Sequence, residues 1–121
     1  MSNTRKFVGK LELLVLSPGK WQTVLDFGFG DEVVPAGFVT DLASIPRFFQ
    51  WLPHFGVDGA SREGAVVHDY LYWLVARGLR TKAYADLTFR ECLQVSGLDS
   101  RTCWLYYNAV HFFGNPKRPH V

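Results

Sequence analysis

Between Ser61 and Gly114 the chain carries three stretches that each open on a small polar residue and close on glycine, and no other feature constrains its fold as much. The first runs from about Ser61 to Arg77, with Ser61 as N-cap and Gly78 as stop. The second runs from about Lys82 to Val95, behind Thr81 and ahead of Gly97. The third runs from about Arg101 to Phe113, with Ser100 or Asp99 as cap and Gly114 then Pro116 as the stop. Ser, Thr and Asp oxygens accept from the free N–H groups of a first helical turn, and glycine readily ends a helix. The pattern predicts three helices. Their connections are short, so neighbours are expected to pack antiparallel.

The first forty residues have a different texture. Phe7 to Leu16 reads as a strand, Ser17-Pro18-Gly19-Lys20 as a turn, and Trp21 to Phe27 as the returning strand. Gly28-Phe29-Gly30-Asp31 reads as a second turn, and Glu32–Pro35 and Phe38–Thr40 as short strands broken at Pro35-Ala36-Gly37. From Asp41 to about residue 60 a loop is expected, with a short helix capped by Ser44 and carrying Pro46 in its first turn. The fold class is α+β: a small N-terminal antiparallel β-meander (about 1–40), a loop with a short helix (41–60), a three-helix unit (61–114) and a tail (115–121), in a single domain spanning 1–121.

A chain of 121 residues with 48% apolar side chains is long and apolar enough to bury a core without staples. The net charge of +2 gives no polyelectrolyte signal, and Arg5-Lys6 and Lys117-Arg118 read as solvated ends, so no nucleic-acid partner is expected. Cys92 and Cys103 are too few for a disulfide framework and fit no metal motif; the favoured reading is two free thiols in a reducing compartment. No signal peptide is visible, and the charge-free apolar run Leu13 to Leu16 is far too short to span a bilayer. Synthesis in the cytoplasm is therefore expected. The sequence sets no oligomeric state.

Chemistry concentrates on Val66-Val67-His68-Asp69-Tyr70-Leu71-Tyr72. His68 and Tyr72 are four apart and share one helix face, with Asp69 rotated about 100° to the side. Asp86 sits among apolar and aromatic neighbours in the second helix and needs a partner if buried. Counting from the turn near residues 78 to 81, His68 and Asp86 differ in level by about 7.5 Å of helix rise, so contact requires an oblique crossing or an offset. If they meet, Asp86 fixes the imidazole tautomer and the other ring nitrogen is free to take a proton from water. Asp69 would offer carboxylate oxygens to a hard cation such as Ca²⁺. The bland alternative is a satisfied polar pair on a helix surface.

His-Asp-x-x-Tyr, then Asp-x-x-Phe in the next helix, then Tyr-Tyr-x-Ala-Val in a helix ending in Phe-Gly, resembles the secreted phospholipase A2 superfamily over about residues 61 to 114, closest to its bacterial and viral branches with few or no disulfides. The resemblance implies His68 as general base for an attacking water, Asp69 as a Ca²⁺ ligand, and Tyr72 and Asp86 as the supporting network, with Tyr106 or Tyr107 joining it. It departs in one respect: no Tyr-x-Gly-x-Gly loop precedes the first helix, though Gly56 and Gly59 lie in that region. Asp41 is then a candidate for the missing oxygen ligand, against its reading as a cap or turn residue.

The chain as a whole is similar to a small uncharacterised family found mainly in tailed phages and prophages, through Phe38-Val39-Thr40-Asp41-Leu42-Ala43-Ser44-Ile45-Pro46-Arg47 and His68-Asp69-Tyr70-Leu71-Tyr72. That likeness implies a protein made in the host cytoplasm and open to association with the virion. Ser44 is a weak nucleophile candidate, since no Gly-x-Ser-x-Gly elbow surrounds it. His54, His111 and His120 follow no zinc spacing.

Two functions follow. One is a metal-assisted hydrolase of a lipid or other ester, acting on a lipid or membrane-surface substrate in a cleft rimmed by Phe48, Phe49, Trp51 and Phe55. The other is a non-catalytic virion, assembly or host-interaction protein, partnered by phage virion proteins, in which Arg47 pairs with Asp41 or Asp86 and the motif residues are structural.

Overall fold

A computed structural model of the chain describes residues 5–41 and 61–116. The fold is α+β, with six antiparallel strands followed by three helices. It gathers into two compact units, Met1–Asp41 and Leu42–Val121.

The first unit holds β1 (Phe7–Val8), β2 (Leu13–Ser17), β3 (Lys20–Thr23), β4 (Phe27–Phe29), β5 (Glu32–Val34) and β6 (Val39–Thr40). They form two three-stranded sheets, β1-β4-β5 and β2-β3-β6. The apolar run from Phe7 to Leu16 is thus two strands in different sheets. Gly9 breaks it: its φ of 83° is one that L side chains rarely adopt, and a Cβ there would lie 3.0 Å from the Asp26 carbonyl oxygen. Gly28-Phe29, expected in a turn, belongs to β4, and the hairpin to β5 turns through Gly30-Asp31 alone. Burial explains the difference: Phe27, Phe29 and Val34 are all buried, and Phe7 packs on Phe27 and Phe29 with ring centroids 5.6 and 4.9 Å apart. The Thr23 hydroxyl pins the β6 approach, donating to the Pro35 carbonyl at 2.7 Å and accepting from the Phe38 N–H at 3.0 Å.

The second unit holds α1 (Arg62–Ala76), α2 (Lys82–Val95) and α3 (Ser100–Phe113). Thr81 caps α2, accepting from the Tyr84 N–H at 3.1 Å. Ser61 and Asp99 occupy the N-cap positions of α1 and α3. Gly78, with φ 76°, ends α1 in a left-handed turn that returns the Leu79 N–H to the Leu74 carbonyl at 3.0 Å. α1 and α2 lie antiparallel: Gly64, early in α1, faces Cys92 late in α2, whereas Tyr72 meets Asp86 in the first half of α2. Ala65, Phe89, Leu93, Cys103, Tyr106, Ala109 and Val110 form the core between the three helices. Cys92 and Cys103 are both buried, and neither forms a disulfide. No helix among the described residues is long and apolar enough to cross a membrane.

Candidate active site

His68 projects from α1 into the α1–α2 interface, fully buried, with its ring 4.1 Å from that of Tyr72 and 4.7 Å from that of Phe89. Asp86 comes from α2 and is also buried. His68 Nε2 and Asp86 Oδ1 are 2.8 Å apart, and the Tyr72 hydroxyl donates to the same oxygen at 2.6 Å. The helices therefore cross with the offset that the sequence spacing required: His68 sits against both Asp86 and Phe89, one turn apart on α2. Lys82, at the start of α2, donates from Nζ to Asp86 Oδ2 at 2.6 Å and to the carbonyls of Val110 and His111 at 2.8 and 3.0 Å.

This geometry assigns the protons. An ionised carboxylate only accepts, so His68 donates through Nε2–H. Nδ1 then carries a lone pair, and this buried atom has no hydrogen-bond partner among the described residues. Burial pushes the His68 pKa below its ordinary value, outweighing the hydrogen bond and charge of Asp86; the Lys82 charge lowers it further. Burial alone would raise Asp86, but the bonds from His68, Lys82 and Tyr72 together hold its carboxyl below the usual range. Tyr72 is pushed up by burial and by its bond to Asp86. The cluster at neutral pH is a neutral imidazole, a carboxylate, a neutral phenol and an ammonium. Its net charge is zero, which limits the cost of burying it.

Gly114 completes the wall. A Cβ at this position would collide with the Tyr72 hydroxyl and the Val110 carbonyl, so the chain leaving α3 passes hard against the site. Lys82 and Gly114 are the residues that sequence reasoning missed. The available signals were the four-residue spacing of Lys82 and Asp86, and the placement of a glycine where α3 must end.

Asp69 is half-buried and engaged in interactions of its own, and Asp41 is exposed at the end of the other compact unit. Among the described residues no group of three His, Cys, Asp or Glu side chains gathers to hold a metal ion. Tyr106 is buried on the far side of Phe89, whose ring stacks on it at 6.5 Å, and burial lifts its pKa to about 12. Tyr107 stacks on His111 at 5.6 Å under the Arg90 guanidinium. The bonds to Asp86 described above come from His68, Tyr72 and Lys82. Ser44, Arg47, Phe48, Phe49, Trp51, Phe55, His54 and His120 lie outside the described residues.

A family model described as a protein of unknown function (DUF1353) matches residues 22–110, well over half of the chain. The chain belongs to the DUF1353 family. No curated protein and no solved structure matches it. The DUF1353 match runs from β3 to the last turn of α3 and takes in His68, Tyr72, Lys82 and Asp86.

Proposed function

We propose that this DUF1353 protein is a hydrolase of phage or prophage type, in which His68 activates water for attack on a lipid or other ester. The observation that carries the reading is the unpaired Nδ1 of a buried, neutral His68 whose Nε2–H is held by Asp86. Leaving a buried acceptor unpaired costs about 1–3 kcal/mol, and such an atom calls for a reason. A general base needs this atom: a lone pair in a fixed direction, with the opposite nitrogen oriented by a carboxylate. In the reaction Nδ1 takes a proton from water while the hydroxide oxygen bonds to the ester carbonyl carbon. The imidazolium, steadied by Asp86, then returns the proton to the alkoxide as its carbon–oxygen bond breaks. The products are a carboxylic acid and an alcohol. The lipid substrate and the phage setting rest on the motif resemblances. No step runs through a cation.

One observation favours the second reading, a non-catalytic virion, assembly or host-interaction role: the His68 ring has no exposed surface at all. In that reading the cluster is a clamp joining the three helices.

The test is hydrolysis of phospholipid vesicles and of soluble chromogenic esters by wild type and His68→Asn, in calcium and in chelator. Asparagine keeps a donor for Asp86 and removes the base. The expected result is turnover by wild type and a loss of about a hundredfold or more in the variant. Absence of turnover by folded wild type on every substrate, with and without calcium, would overturn the hydrolase and leave the clamp.

A further inference from the structure

Lys82 is out of place by local rules. It is the first residue of α2, and a cation at a helix N-terminus opposes that helix's dipole. In the folded chain its ammonium serves two helices, α3 and its own. It reaches the Val110 and His111 carbonyls at the C-terminal end of α3, where the dipole welcomes positive charge. It also holds Asp86 Oδ2, the oxygen that His68 and Tyr72 do not use. A solvated four-residue-spaced ion pair would leave the imidazole untouched. Here the carboxylate is buried, and its two oxygens are divided between Lys82 on one side and the His68–Tyr72 pair on the other. Fixing Oδ2 fixes the carboxylate plane, and with it the direction of Oδ1.

We propose that Lys82 is a positioning residue: by gripping Asp86 and the last carbonyls of α3 together, it sets the carboxylate plane that orients His68. This deepens the reading of His68 as a base and rests on it only for its catalytic consequence. The seating of α3 is thereby tied, through its Val110 and His111 carbonyls, to the tautomer of a histidine on α1.

The test follows the His68 Nε2–H proton by NMR in wild type, Lys82→Met and Lys82→Arg, with turnover measured in parallel. In Lys82→Met the proton is expected to exchange with solvent at least about tenfold faster, and kcat to fall about tenfold with little change in KM, the effect of losing one charged hydrogen bond. Lys82→Arg, whose guanidinium can serve carboxylate and carbonyl together, is expected to restore most of both. If Lys82→Met does not fold, Lys82→Gln, which keeps a donor but no charge, is read by the same resonance. An Nε2–H whose exchange stays within about twofold of wild type in the uncharged variant overturns the proposal. A wild type without turnover overturns the hydrolase instead, and the resonance still decides the role of Lys82.

Discussion

Asp86→Asn keeps the shape of the side chain and removes its charge. The amide oxygen can still accept from His68 and Tyr72, but the amide nitrogen then points at Lys82 Nζ, where two donors meet. Removing one partner of a buried ion pair costs about 3–5 kcal/mol. Lys82 is 32% exposed and keeps its two α3 carbonyls, so part of its charge remains solvated. The loss expected at neutral pH is about 2–3 kcal/mol, or roughly 10 °C in Tm for a chain of this size. Urea unfolding followed by circular dichroism measures it. The difference should shrink in acid, because wild-type Asp86 also loses its charge once pH falls through its depressed pKa. A neutral-pH loss below about 1 kcal/mol, or one of the same size in acid, would refute the assignment of Asp86 as the ionised centre of the cluster.

Tyr72→Phe removes a hydroxyl bonded to a buried carboxylate and is expected to cost about 1.5–3 kcal/mol by the same unfolding assay. Gly114→Ala places a methyl group against the Tyr72 hydroxyl and the Val110 carbonyl; a loss of about 1–3 kcal/mol is expected, partly relieved in the Tyr72→Phe background. Burial lowers the folded pKa of His68, so the unfolded chain takes up a proton first as pH drops through its ordinary value of 6.5. Stability should therefore begin to fall below about pH 6.5, and His68→Asn should lack this phase in pH-dependent unfolding. Cys92 and Cys103 are buried thiols outside any disulfide and should react with a thiol reagent only as fast as the helical unit opens.

The helical half was legible because its boundaries are written in residue chemistry that acts locally. Thr81 caps where it stands and Gly78 turns where it stands, so α1 and α2 fall within a residue or so of expectation. His68 and Tyr72 had to share a face, and a buried Asp86 had to find a partner, so their meeting could be anticipated from spacing and desolvation cost. The β unit was less legible in detail. Gly28-Phe29-Gly30-Asp31 looks like a turn by its two glycines and aspartate, but burial of Phe29 and pairing with Glu32 place Gly28 and Phe29 in a strand. Phe7 to Leu16 was read as one strand, but the chain leaves strand geometry at Gly9, with its positive φ, and resumes at Leu13 in the other sheet. Lys82 was hidden for a different reason. Its partners on α3 are 28 and 29 residues away and are backbone carbonyls, which carry no sequence signal. Gly114 was read correctly as the end of α3, but its φ of −66° is open to any residue; the space taken by Tyr72 is what demands glycine there.

The proposed chemistry turns on the protonation state of one imidazole. Nitrogen-15 NMR of selectively labelled histidine, with His68 assigned through His68→Asn, reads that state directly at neutral pH. A base at His68 requires a neutral ring protonated on Nε2, bonded to Asp86, with Nδ1 showing the shift of an unprotonated nitrogen. An imidazolium at neutral pH, or a ring protonated on Nδ1, would contradict it, because neither form has the lone pair with which His68 is proposed to take a proton from water.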